Sequence, residues 1–405
     1  MNKLAIVVQR AHSSVVGGSE AHAWQYARLL QDTYQVEVLT TTALDEATWD
    51  NALPAGSEQT EGITIRRFKV TQGRTLYWHA LHERLLKEYE YRSLVRKLSN
   101  QPVTKIPWTL GLQEEFIRKQ GPYSEGLLSF LGEHSYQYQA VIFLTYLFPT
   151  TYFGIAQCQS KRSILVPTLH DEPPAYFSAY ARMARKVRSV LWNTSAERKF
   201  GSRLWGQLPG RIVGMAVETH AYTPDRRKQP YLLYCGRIDP NKGCDLLIDF
   251  FLRYKRENPS DLQLVFTGKA ETHPPTGRDI DFKGFVSREE KFRLMAGAKC
   301  FVMPSPYESL SIVTLEAMAQ RTPVLVNGSC EVLKEHVERS GGGLFYQGGY
   351  QSFANSLRKI LASDPNRLSE MGAKGRDYVA SNYSPEYIKQ SLIEEIERSQ
   401  NFPSD

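Results

Sequence analysis

Residues 300–326 read CFVMPSPYESLSIVTLEAMAQRTPVLV, and the fold follows from how this stretch divides. CFVM is an unbroken apolar run of strand length, closed by Pro304. PVLV, at 323–326, is a second such run. Between them Leu310, Leu315, Ala317 and Met318 recur at helical intervals. Two short strands, each buried on both faces and joined through a helix, make a unit whose strands run parallel.

The same alternation extends outward. Upstream lie YLLYCGR (231–237), LQLVFTG (262–268) and IDFKGFV (280–286), with helices between them. An earlier series starts at KLAIVV (3–8). A Gly-containing loop follows, then a helix with apolar Ala23, Tyr26, Ala27 and Leu30. The strands YQVEVLTT (34–41), ITIRRFKV (63–70), AVIFLT (140–145), SILVPTLH (163–170), SVLWNTS (189–195) and RIVGMAV (211–217) continue it. Residues 71–139 are rich in Tyr, Arg, Lys and Glu and read as a partly helical insertion or a set of loops carrying specificity. TPDRRKQP (223–230) is the linker candidate, and SPEYIKQSLIEEIERS (384–399) reads as a Ser-Pro-capped amphipathic helix. The expected organisation is two parallel α/β units, 1–218 and 219–384, with a terminal helix in 385–405. Ligands of open parallel sheets bind at the carboxyl ends of the strands.

Composition agrees with this plan. A chain of 405 residues exceeds one comfortable core. Its net charge of +7 favours anionic partners, although a basic surface without a special partner fits equally. The five cysteines are widely spaced and form no CxxC pair, so a disulfide framework or zinc site is not expected and a reducing cytoplasm is. The start, MNKLAIVVQRAHSS, offers too little for a signal peptide. The most apolar stretch, VIFLTYLF, runs for eight residues, where a bilayer span needs about 20.

Two motifs carry chemistry. In CGRIDPNKGCDLLI, Arg237 closes a strand and Lys242 opens a helix. A planar fork of donors and a point charge suit a diphosphate, and a surface pair at a turn is the plainer reading. In the opening stretch, Glu308 follows a strand where a helix begins. The amides of Ser309, Leu310, Ser311 and Ile312 are then expected as free first-turn donors, an anion site. Glu316, eight positions on, is partly sheltered by Leu315, Ala317 and Met318. A carboxylate there can accept hydrogen bonds from vicinal hydroxyls. A solvated helix-face acid and an N-cap acid are the alternatives.

Glu308 and Glu316, with AMAQRTPVLV behind them, resemble the E-x7-E signature of the retaining family 4 glycosyltransferases. Arg237 and Lys242 match that family's phosphate-binding pair. TGKA and FKGFVSREEKFRLMAGA fill the interval as the family does. The resemblance covers the C-terminal unit closely and the N-terminal unit loosely. It implies a GT-B architecture: two Rossmann-like domains facing a cleft, and a C-terminal helix crossing back to the first domain.

It also implies roles. Arg237 and Lys242 would neutralise the diphosphate as it leaves. Glu308 would hold the donor sugar and Glu316 the ribose. Gly268, Phe285 and Val286 fall in the donor-binding loops, with Val286 offering backbone contacts to the base. Gly17 and Gly18 resemble the double glycine that lets backbone approach the diphosphate and acceptor. His170, at the end of PTLH, stands where the family has a histidine beside the reacting carbon. Two features depart from the family: Gly214-Met215-Ala216-Val217-Glu218 replaces its Asn-Gly-Val-Asp, and residues 71–139 match nothing in it.

The implied function is retaining hexosyl transfer from a nucleotide diphosphate sugar, UDP-glucose or similar, to a saccharide or lipid-linked acceptor in polysaccharide biosynthesis. No cofactor or metal is expected, because cations and a helix terminus take the place of one. Asp279-Ile280-Asp281 spells the acidic pair of metal-dependent transferases but falls within a strand. A nicotinamide enzyme would need GxGxxG, which VVGGSEAH lacks. No RNA-binding motif appears, so no nucleic-acid partner is expected. A nucleotide-sugar epimerase and a non-catalytic binder remain the competing readings. The stretch SAYARMARKVR (178–188) reads as a basic amphipathic helix, with Arg182, Arg185 and Lys186 on one face and Met183, Val187 and Val190 on another. It suggests peripheral contact with the cytoplasmic membrane face, or else a helix packed on the first sheet.

Overall fold

The computed structural model describes residues 1–15, 17–99, 105–220, 222, 229–271 and 276–398. They divide into two units, Met1–Met215 with the C-terminal residues from Lys389, and Ala216–Ile388. Most of the linker candidate, 223–228, lies outside the described residues.

The first unit runs β1 (Lys3–Val7), α1 (Gly18–Leu30), β2 (Gln35–Thr41), β3 (Gly56–Thr60), β4 (Ile63–Phe68), α2 (Leu76–Ser99), α3 (Leu110–Gln120), α4 (Glu125–His134), β5 (Ala140–Leu144), α5 (Pro149–Gln157), β6 (Ser163–Val166), α6 (Ser178–Ala184), β7 (Ser189–Trp192), α7 (Ser195–Trp205) and β8 (Gly210–Ile212). Its sheet order is β3-β4-β2-β1-β5-β6-β7-β8. Only the exposed edge strand β3 is antiparallel. The chain builds outward from β1 on one side, then crosses to β5 on the other. The loop after β1, which carries Gly17 and Gly18, therefore sits at the reversal of strand order.

The second unit runs β9 (Gln229–Cys235), α8 (Cys244–Glu257), β10 (Gln263–Thr267), β11 (Ile280–Phe282), α9 (Arg288–Gly297), β12 (Ala298–Met303), α10 (Ile312–Ala319), β13 (Val324–Asn327), α11 (Glu331–Ser340), β14 (Gly343–Tyr346), α12 (Tyr350–Leu361), α13 (Pro365–Tyr383) and α14 (Pro385–Arg398). The order is β11-β10-β9-β12-β13-β14, all parallel. Its reversal lies between β9 and β12.

From Lys389 onward α14 is part of the first unit. The Ser189 hydroxyl donates to Glu395 at 2.6 Å, Arg211 pairs with Glu394 at 2.8 Å, and Lys389 with Asp32 at 3.2 Å.

Three sequence expectations change. Residues 71–139 are not a set of loops. Helices α2, α3 and α4 bury Trp78, Leu81, Leu85, Phe116, Ile117, Leu127 and Leu131 in the first core, and α4 is the ordinary crossover from β4 to β5. The stretch 178–188 is a helix of only seven residues, followed by a turn. Met183, Val187 and Val190 are buried in the core, Val190 inside β7. Its apolar side is therefore committed to the protein, while Arg182, Arg185 and Lys186 stay exposed. Strand β6 stops at Val166, so His170 stands four residues beyond it rather than at its end. Strand β14 was not anticipated. Gly343 hides it, for a Cβ there would meet the Val324 carbonyl oxygen at 2.1 Å.

Candidate active site

In the second unit the strand-order reversal brings the loops after β9 and β12 side by side. The first is Asp-Pro-Asn-Lys-Gly. The Asp239 carboxylate accepts from the Lys242 amide at 3.1 Å, Pro240 opens a short 3-10 turn, and Gly243 ends it at φ 74°. A side chain at Gly243 would be strained by that φ and would meet the Pro304 carbonyl oxygen at 2.8 Å. The turn is thus pressed against the end of β12. Lys242 consequently reaches Glu308, its Nζ donating to Oε1 at 2.8 Å with both side chains only partly exposed. These two predicted residues lie 66 positions apart and are placed together by topology alone.

Arg237 is exposed, and among the described residues it takes no ion-pair partner. Its backbone is fixed by the Tyr234 hydroxyl, which donates to the Arg237 carbonyl at 2.6 Å. Burial pushes that phenol far above its ordinary pKa, so it remains a donor. Helix α8 starts at Cys244, and its N-cap Gly243 supplies no side-chain cap, which leaves first-turn amides beside Lys242.

The turn from Glu308 differs from expectation. Helix α10 begins at Ile312, and its N-cap is Ser311 at φ 61°, ψ 65°. Ser309 and Leu310 lie in the bend before the helix, so the first-turn amides are those of Ile312, Val313 and Thr314. A non-glycine residue in the left-handed region is strained and needs support from its surroundings. His336 of α11 gives it, donating from Nε2 to the Leu310 carbonyl at 2.7 Å while Nδ1 faces the Tyr378 hydroxyl at 3.1 Å. Burial lowers the His336 pKa, and a neutral ring has the one donor this arrangement uses.

Glu316 lies one turn into α10. The Lys291 ammonium, from α9, donates to both of its carboxylate oxygens at 2.8 Å. Lys291 was not anticipated. It is one charge among many in SREEKFR, and only the fold shows which acid it meets.

At the ends of β9 and β10 the backbone is crowded. The Gly236 amide donates to Thr267 and the Gly268 amide to Gly284. A Cβ on Gly268 would lie 2.0 Å from the Gly236 oxygen. This close glycine contact forms a floor beside the exposed Phe285 and half-buried Val286. Asp279 and Asp281 each pair with a lysine, Lys255 at 3.3 Å and Lys283 at 2.8 Å.

In the first unit, Gly17 precedes α1, and a Cβ there would strike the Glu20 carboxylate at 2.1 Å. Glu20 is buried and accepts from Gln9 at 3.1 Å and Arg10 at 2.7 Å. Gly17 therefore makes room for a buried ion pair. Gly18 starts the helix with open space around its Cα. Neither Arg10 nor Glu20 was singled out by the sequence, although Gln9 and Arg10, two polar residues close behind a buried strand, are a signal. His170 Nδ1 lies 3.7 Å from Glu172, which itself accepts from the Tyr146 hydroxyl at 2.6 Å. The preceding amide, Leu169, donates to Glu197, as does that of Asn193. Glu197 is buried, and desolvation pushes its carboxyl up to about 8 against the pull of those amides. It anchors the loop that carries His170.

Residues 218–378 match the family model Glycosyl transferases group 1. A D-inositol 3-phosphate glycosyltransferase of Kineococcus radiotolerans is 31% identical over 254 residues, covering 53% of this chain and 58% of the relative. A GDP-mannose-dependent alpha-(1-6)-phosphatidylinositol dimannoside mannosyltransferase of Mycobacterium tuberculosis is 27% identical over 215 residues, covering 49% and 55%. The chain thus spans little more than half the length of these relatives. Among solved structures, sucrose-phosphate synthase of Thermosynechococcus elongatus superimposes with a TM-score of 0.70 at 18% identity, covering 98% of this chain and 99% of that one. HepE of Anabaena, determined with UDP and glucose, gives 0.66 at 14% identity, covering 98% and 100%. The fold is the GT-B fold, two α/β units built on parallel sheets.

Proposed function

We propose that this chain is a retaining glycosyltransferase that moves a hexose from a UDP-linked donor to a saccharide or lipid-linked saccharide in polysaccharide biosynthesis. The observation that carries the reading is the Lys242–Glu308 pair at the strand-order reversal of the second unit. It sets a cation for phosphate beside a carboxylate for sugar hydroxyls, 2.8 Å apart.

Breaking the bond from the anomeric carbon to the diphosphate builds negative charge on the departing oxygen. Lys242, Arg237 and the open N-terminus of α8 supply positive potential where it grows, which is the task a divalent cation performs in other transferases. Glu308 orients the ring, and Glu316 accepts from the ribose hydroxyls. The acceptor oxygen bonds to the anomeric carbon on the face the diphosphate leaves, and its proton passes to the leaving phosphate oxygen. His170, in the loop anchored by Glu197, is the first unit's candidate for contact with substrate.

The test is product analysis with UDP- and GDP-hexoses, with and without saccharide acceptors. Free nucleoside diphosphate and a glycosylated acceptor that keeps the donor's anomeric configuration are expected. A sugar nucleotide recovered with altered configuration and no transfer would make the protein an epimerase. Binding with neither reaction would make it a non-catalytic binder.

A further inference from the structure

Each of the two predicted glutamates is matched to a lysine, and the two contacts differ in what they fix. Lys242 meets Glu308 at one oxygen, 2.8 Å away. Lys291 meets Glu316 at both, its ammonium 2.8 Å from Oε1 and 2.8 Å from Oε2. A carboxylate held at one oxygen can still turn, whereas an ammonium shared by both oxygens holds the plane of the group. An ionised carboxylate accepts at about four lone-pair positions. Lys291 takes one on each oxygen and leaves one on each for neighbouring hydroxyls. The Glu316 side chain is 14% exposed and that of Lys291 26%, so the pair is sheltered but still reached from solvent. Lys291 also stands where a nucleotide contact is expected. Ser287 caps α9 directly after Val286, accepting from the Glu290 amide at 3.2 Å, and the Lys291 amide closes the first turn on the Ser287 carbonyl at 2.9 Å. The loop proposed for the base and the ammonium facing Glu316 therefore share one fixed helix start.

We propose that Lys291 is the positioning residue for ribose recognition: it aims the Glu316 carboxylate at the vicinal hydroxyls of the donor nucleotide and offsets its charge beside the diphosphate. The proposal rests on the reading of Glu316 given above. The pair is not what holds α9 in place. Phe292, Leu294 and Met295 are buried, the Tyr231 hydroxyl donates to the Leu294 carbonyl at 2.7 Å, and the Thr322 hydroxyl donates to that of Met295. The charges give Lys291 a second task. Lys242 and Glu308 cancel, as do Lys291 and Glu316, which leaves Arg237 as the net positive charge. Without Lys291 the Glu316 carboxylate would cancel Arg237 instead, and an arriving diphosphate would meet no net attraction.

The test is calorimetry with UDP and GDP, and with the 2′-deoxy form of whichever binds. Loss of the 2′ hydroxyl should weaken binding to the wild type about tenfold, the scale of one hydrogen bond to a charged group. Lys291→Met keeps most of the stem and removes the ammonium. It should weaken the ribonucleotide at least about tenfold and shrink the ribose-to-deoxyribose ratio below about threefold. Lys291→Arg should restore most of both. The proposal is overturned if Lys291→Met binds both nucleotides as the wild type does, or weakens both by the same factor, as a purely structural pair would. It is also overturned if Lys291→Met binds more tightly, since Lys291 would then compete with the ribose for Glu316. If Lys291→Met unfolds at the assay temperature, Lys291→Gln is judged by the same outcomes. A wild type that binds neither diphosphate, or binds the ribose and deoxyribose forms alike, would instead refute the donor reading of the site.

Discussion

Replacing Lys242 with alanine tests the electrostatic core of the proposed mechanism. In the structure its ammonium is 2.8 Å from Glu308, and the side chain is about one quarter exposed. A phosphate oxygen in a comparable position would sit about 4 Å from that charge. Two unit charges at this distance interact by about 4 kcal/mol at the effective dielectric of partly buried sites. Only the charge that grows during bond cleavage counts toward rate, so the loss in kcat should be on the order of 10²–10³. Lys242→Ala also leaves the Glu308 carboxylate without its partner. Lys242→Ala combined with Glu308→Gln should therefore fall well short of the product of the single losses. Lys242→Arg keeps the charge and should recover part of the rate. The assay is initial-rate release of nucleoside diphosphate at saturating donor. A kcat for Lys242→Ala within a factor of two of wild type would refute the reasoning, since the diphosphate would then lie elsewhere.

Glu316→Ala should weaken binding of the free nucleoside diphosphate, while Glu308→Ala should lower turnover and leave that affinity nearly intact. Calorimetry on both variants separates the roles, and equal losses of affinity would contradict them. Gly268→Ala should destabilise the second unit, because its Cβ would press on the Gly236 oxygen at 2.0 Å. An unchanged melting temperature would show that the backbone yields there. The Glu197 carboxyl is raised from 4.5 to about 8 by burial, so the folded state holds a proton that the unfolded chain has released between those values. Its contribution to stability is present in full below the unfolded pKa and is lost as pH rises through about 8. Glu197→Gln should flatten the decline in urea midpoint between about pH 5 and pH 9. Parallel profiles for wild type and variant would remove that assignment.

The parallel sheets were legible because strands buried on both faces are written as unbroken apolar runs, as in KLAIVV and YLLYC. Arg237, Lys242, Glu308 and Glu316 stand out in the sequence because they fall in the loops and helix that follow two apolar strands. What escaped was set by tertiary contact. Helix α10 starts at Ile312 rather than at Glu308 because Ser311 takes a left-handed conformation, and the bond from His336 of α11 to Leu310 supports it. Lys291 meets Glu316 only once α9 packs beside α10. The turn at 185–188 ends the basic helix early because the Arg188 amide joins β6 at the Ser163 carbonyl and its guanidinium reaches carbonyls of α14. Helix α2 has apolar residues on two sides, so its sequence shows no single amphipathic face. Its reading as an irregular insertion follows from that.

The central claim is that protein cations do the work of a metal at the second unit's strand-order reversal. It is tested most directly by measuring sugar transfer after exhaustive chelation. The account predicts that turnover in EDTA equals turnover before treatment, and that Lys242→Ala lowers it by the same factor in both conditions. Loss of transfer in EDTA, with recovery on adding Mn²⁺ or Mg²⁺, would contradict the account and return attention to Asp279 and Asp281.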